Sequence, residues 1–218
     1  MPGEYYHIFN RGNGKQQIFL DDFDYARFLF ILLHFQSNVH IYNVGVSAAY
    51  YIKHSVFNVS AKTLEKIVQN RTVELVAFAL MPNHFHIMVK ELIENGVANF
   101  MQRTQNSCTK YFNVKYKHTG HLLQGPYKAL HVETNEQLLH LSAYIHRNPR
   151  EIAGWKNKEH KFPWSSCQDY TDKNRWGNLL QQNIITDQIP HGKEYKYFID
   201  TSSAKLSQKE LDNELMID

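Results

Sequence analysis

The sequence predicts an α+β layer fold in which helices pack on a mainly antiparallel sheet. Three observations carry this expectation. Short β-prone runs alternate with longer amphipathic segments. Two apolar runs meet at a Pro-Asn break. The order strand, helix, strands, helix, strand, helix suits one layered core.

The elements follow in chain order. "EYYHIFNRG" reads as an aromatic-rich strand closed by an Asn-Arg-Gly turn. "DDFDYARFLFILLHFQSN" opens with acids at Asp21 and sets Phe23, Phe28, Leu29, Leu32, Leu33 and Phe35 on a helical face. Residues 39 to 70 mix β-branched and aromatic residues without clean alternation and are expected to be irregular, apart from a short helix, "AKTLEKIVQN", starting near Ser60. "VELVAFALMP" and "HFHIMVKE" form a hairpin or a bent continuous strand around Pro82-Asn83. A helix should run from about Ala98 to His118 and stop at Thr119-Gly120, followed by an extended "HLLQGPYKALHVE". Thr134 with Gln137 is a capping-box pattern that starts a helix at Asn135, and Pro149 should end it at Asn148. The closing "SQKELDNELMID" suits a short amphipathic helix. Residues 1–172 are expected to form the domain and residues 173–218 a C-terminal extension.

Composition narrows the function. The chain of 218 residues is 43% hydrophobic and 21% charged, as soluble globular proteins are, so the expectation is a cytoplasmic protein without a membrane segment. Cys108 and Cys167 lie far apart without C-x-x-C spacing, which points away from a disulfide framework or a thiolate zinc site. Net charge is only +3, but no acid occurs between Glu94 and Glu133, where Arg103, Lys110, Lys115, Lys117 and Lys128 interleave with aromatic residues. Cations meeting phosphates and rings meeting unstacked bases are what a single-stranded nucleic acid requires; a solvated helix face with core aromatics is the plainer alternative.

The chemistry centres on "ALMPNHFHIMVKE". On a strand, residues two apart share a face, so His84 and His86 emerge side by side and could bind one divalent cation; they could equally be two of thirteen histidines that fell in a strand. The run continues into apolar residues, unlike a metallo-β-lactamase-type site, so any third ligand must come from elsewhere. Tyr144 and Asn148, four apart on a helix, share one face. A tyrosine can act as a covalent nucleophile on a phosphodiester, although at helical spacing it is more often a packing residue.

Taken together, "YYHIFNRG", "LMPNHFHIMV", "YFNVKYKHTGHLLQGPYKA", "YIHRNP" and "FPWSSCQDY" resemble the REP-associated tyrosine transposases, single-tyrosine members of the HUH superfamily, over roughly residues 4 to 170. The resemblance implies a ferredoxin-like antiparallel sheet with the histidine pair on a central strand. It implies Tyr144 as nucleophile, His84, His86 and Asn148 as ligands of Mg²⁺ or Mn²⁺, and cleavage of single-stranded DNA near a hairpin through a 5′-phosphotyrosine. Arg103, Lys110, Lys115, Lys117 and Lys128 form the first candidate DNA surface and Arg11 with Lys15 the second. Relatives include monomers and homodimers. Leu123 and Pro126 stand where the family commonly has Trp and Arg, which leaves a hairpin-binding protein without transposition as the alternative reading. A phosphoesterase acting on small substrates is a third.

Overall fold

The computed structural model describes residues 1–202. The terminal segment expected to form an amphipathic helix lies outside the described residues.

Four strands, β1 (Tyr5–Arg11), β2 (Val73–Met81), β3 (His84–Glu91) and β4 (Lys128–Val132), form one antiparallel sheet in the order β2-β3-β1-β4. This is the split β-α-β-β-α-β arrangement of ferredoxin-like folds. Pro82 and Asn83 are the two residues between β2 and β3, so the hairpin reading holds and the bent continuous strand does not.

The face of the sheet carrying Ile8, Phe85 and Ile87 lies against α1 (Asp22–His34) and α4 (Gly96–Tyr116), where Phe28 and Phe85 meet with ring centroids 5.2 Å apart. Helix α1 starts at a complete capping box between Asp21 and Asp24, and the acids at its head are thereby used structurally. Helix α4 ends on Lys117, whose left-handed φ of 51° stops it three residues before the expected glycine.

Residues 39 to 70 are not irregular. They contain α2 (Val44–His54) and α3 (Ala61–Gln69), the latter capped by Ser60 as its sequence suggests. Helix α2 escaped notice because Asn43 makes no side-chain cap and only Ser47, Ala48 and Tyr51 become buried. Its need was nonetheless written into α1, whose run from Phe28 to His34 is buried all round, and a helix apolar on every side requires a cover on its outer face.

Helix α5 (Asn135–Arg147) packs on the opposite face of the sheet, behind the predicted capping box of Thr134 and Gln137. The α-helix stops at Asn148 as expected, but Asn148 itself keeps right-handed helical angles and leads into a 3₁₀ turn, Asn148–Glu151; its Nδ2 donates to the Tyr144 carbonyl at 2.9 Å, which offsets the crowding before proline. The "FPWSSCQDY" segment docks along β2, with Ser166 N donating to Phe78 O at 3.0 Å and Leu80 N to Trp164 O at 2.9 Å. Beyond α6 (Cys167–Thr171), the expected extension adds Leu179, Leu180 and Ile185 to the same core. The short helix α7 (Asn183–Thr186) and α8 (Lys193–Thr201) follow, and α8 buries Tyr195 and Ile199. His146 ties these pieces to α5, with Nδ1 2.7 Å from the Tyr195 hydroxyl and Nε2 2.7 Å from Ser166 Oγ.

Candidate active site

The register of β1 against β3 builds the site. Arg11 lies opposite His84 and Phe9 opposite His86, so alternation puts His7, Phe9 and Arg11 on the face that carries both histidines. Helix α5 crosses this face. The Tyr144 ring stands edge-on to His86 (centroids 5.2 Å, interplanar 82°) and to His7 (5.9 Å, 80°). The nucleophile candidate is 5% exposed and Asn148 6%. Residues sixty positions apart in the chain therefore meet.

The turn that aims His84 is clamped by the segment that follows β1. Gly12 N donates to Asn83 O at 2.8 Å and Ile18 N to Pro82 O at 2.8 Å. Glycine is required at position 12 by space rather than by φ, because a Cβ there would lie 2.1 Å from the Gln16 carbonyl oxygen.

Each histidine has one ring nitrogen engaged. His84 Nδ1 donates to Asn83 Oδ1 at 2.7 Å, and His86 Nδ1 lies 3.0 Å from Nε2 of the buried His7. Burial pushes the His84 pKa down to about 4, with the Asn148 side chain opposing and the Arg11 charge adding to the shift. Burial also holds His86 well below its ordinary value, helped by His84, His7 and Arg11, and lowers His7 to about 3. All three imidazoles are thus neutral at physiological pH, the state in which a histidine can ligate a metal.

A divalent cation fits this donor set. With Nδ1 of both His84 and His86 engaged and Asn148 Nδ2 held by the Tyr144 carbonyl, the atoms left for ligation are two Nε2 and Asn148 Oδ1. Among the described residues no three His, Cys, Asp or Glu side chains converge as a metal set, so a carboxamide would complete it. An uncharged N,N,O set leaves room for water and phosphate oxygens around Mg²⁺ or Mn²⁺.

The predicted basic positions divide. Lys115 reaches Asp21 Oδ2 and Asp24 Oδ1, each at 2.7 Å, and these ion pairs raise its pKa against the effect of burial. Arg103 donates to the carbonyls of Phe35 and Ser37 and lies 4.6 Å over the Phe35 ring. Lys15, Lys110, Lys117 and Lys128 are exposed on the surface. Lys110 lines a groove of about 560 Å³ between α4 and the loop before β4, together with Gln105, Asn106, Asn113 and His121. This loop joins the site: Leu123 bridges Gly12, and Asn10 Nδ2 donates to Gly125 O at 3.2 Å. Leu123 is 6% exposed.

Sequence reasoning missed His7, Phe9 and Asn83 as members of the site. The signal for the first two was present, since they alternate with Ile8 on β1, but which strand β1 pairs with, and in what register, has no local signature.

A search among curated proteins returns no match. A solved structure described as a REP-associated tyrosine transposase bound to a REP hairpin superposes with a TM-score of 0.47 at 12% identity, covering 88% of this chain and 93% of that chain. The family model for IS200-like transposases matches residues 33–148, a span that holds His84, His86, Tyr144 and Asn148. That span exceeds half of the chain, and the protein belongs to the IS200-like transposase family.

Proposed function

We propose that this transposase cleaves and rejoins single-stranded DNA beside a hairpin, with Tyr144 as nucleophile and a divalent cation held by His84, His86 and Asn148. The observation that carries the reading is the meeting of Tyr144 and Asn148 from α5 with the histidines of β3 on one face of the sheet. The Tyr144 oxygen attacks the phosphorus and the bond to O3′ breaks. The phenolic proton passes to solvent and the departing O3′ takes one up. The products are a 5′-phosphotyrosine and a free 3′-hydroxyl, and attack by a 3′-hydroxyl reverses the step with no external energy source. The bound cation would polarise the phosphoryl oxygen and orient the scissile phosphate. Arg11, opposite His84, places a guanidinium next to that position.

Away from the reacting centre, Lys15, Lys110, Lys117 and Lys128 would contact phosphates, while the amides of Gln105, Asn106 and Asn113 offer donors and acceptors to unpaired base edges. Arg103 and Lys115 are less suited, being held by protein partners.

The test is incubation with labelled hairpin-bearing single strands and Mn²⁺. Covalent protein–DNA adduct is expected from the wild type and none from Tyr144→Phe, which keeps the ring and loses only the oxygen. Equal adduct from both proteins sinks the assignment. The burial of Tyr144 favours a second reading, a hairpin-binding protein that no longer transposes. Tight metal-independent binding without any adduct would select it.

A further inference from the structure

Outside the four residues assigned above, one buried polar group faces the site without a role. His7 is 2% exposed, its Nε2 lies 3.0 Å from His86 Nδ1, and its own Nδ1 is buried with no hydrogen-bond partner. Phe9 packs beside it at 4.8 Å between centroids, and the His7 and His86 rings stack at 5.1 Å with 21° between planes.

A contact of that length between two rings that are each 2% exposed holds one proton, and with both rings uncharged only two arrangements exist. If His7 Nε2 carries the proton, it donates to His86 Nδ1. His86 must then be protonated on Nε2, the nitrogen on its other side, and cannot ligate. If His86 Nδ1 carries the proton, it donates to His7 Nε2. The His86 Nε2 lone pair is then available, and His7 Nδ1–H becomes a buried donor without an acceptor. His7 Nδ1 has no partner in either arrangement, as a bare nitrogen in the first and a donor in the second, and binding at His86 Nε2 is what favours the second.

We propose that His7 is a positioning residue which accepts the Nδ1 proton of His86, fixes the tautomer that exposes Nε2, and so sets the affinity of the metal site. The inference rests on the metal reading of His84, His86 and Asn148. It assigns to the first strand of the chain, which the matched family span of residues 33–148 leaves out, a part in the chemistry of the third.

Three proteins test it by Mn²⁺ titration, followed by calorimetry or electron paramagnetic resonance. His7→Phe keeps a ring but removes the acceptor and should weaken Mn²⁺ binding about 10- to 100-fold. Its affinity for hairpin DNA in chelator should stay within about twofold of wild type. His7→Gln returns an acceptor oxygen and should recover most of the lost affinity. Nitrogen NMR of the full chain in saturating Mg²⁺ should show His86 protonated on Nδ1. Wild-type Mn²⁺ affinity in His7→Phe, or a proton on His86 Nε2, overturns the role of His7 while leaving the metal site standing. Failure of the wild-type protein to bind Mn²⁺ overturns the metal reading and this inference with it. Should His7→Phe not fold, the wild-type NMR spectrum decides.

Discussion

The two faces of the same two strands do opposite work. On β1 and β3, Ile8, Phe85 and Ile87 point into an apolar layer under α1 and α4, while His7, Phe9, Arg11, His84 and His86 share the opposite face, where His7 and His86 meet Tyr144 of α5. One backbone with a period of two places a packing set and a chemical set side by side, so the core holds the imidazoles in register without supplying any of their chemistry. The cost of this design is that three imidazoles and one guanidinium sit close to fully buried backbone. Each imidazole therefore needs its own partner, which Asn83 and His7 provide.

The sharpest way to break the comparison is to truncate one residue on each face. Phe85→Ala should cost about 3–5 kcal/mol of stability by leaving a cavity beside Phe28, yet the folded fraction should still form adduct. His86→Ala should abolish adduct with a smaller loss of stability. Chemical denaturation and the adduct assay, run on both variants, check the division. Comparable loss of adduct per folded molecule in the two would mean that the faces are not separable.

The next effect concerns pH. His34, buried at the end of α1, has its pKa lowered from 6.5 to about 4 by burial, against a hydrogen bond to the Phe30 carbonyl. The unfolded chain therefore takes up a proton at this position that the folded chain refuses. Stability is fully present above pH 6.5 and falls as the pH drops toward 4, by up to about 3 kcal/mol from this group. Thermal melts between these pH values should show the decline, and His34→Leu should reduce it by this group's share, the remainder coming from the other buried histidines, His7, His84, His86 and His146. An unchanged slope in that variant would show that His34 is charged in the folded protein.

The smallest effects separate the lysines. Lys115→Met leaves the buried Asp24 carboxylate with only its neutral partners and should cost about 2 kcal/mol, while the salt dependence of hairpin binding stays as it was. Lys110→Met should barely alter stability but reduce the slope of log affinity against log salt by about 1. If Lys115→Met changes the slope and Lys110→Met does not, the division of the basic stretch drawn from its ion pairs is wrong.

That division marks one limit of sequence reading. The stretch between Glu94 and Glu133 contains no acid, but Asp21 and Asp24 come from a helix some ninety residues earlier and neutralise Lys115 in space. Local charge balance says nothing about charges brought in by folding. The capping boxes of Asp21 and Thr134, the Pro82-Asn83 turn and the four-residue offset of Tyr144 and Asn148 were legible because each rests on contacts within a few positions. Helix α2 was not, since its few buried residues acquire meaning only against α1.

By itself the sequence determined the class of fold, most element ends, and the pairing of His84 with His86 and of Tyr144 with Asn148, all consequences of backbone periods of two and 3.6. Only the tertiary structure decided that β1 lies beside β3 in the register that brings His7 to His86 and Arg11 to His84. The reason is physical. Strand pairing joins residues about eighty positions apart, and its register is chosen by the burial of both faces at once, a condition that no short stretch of chain can express.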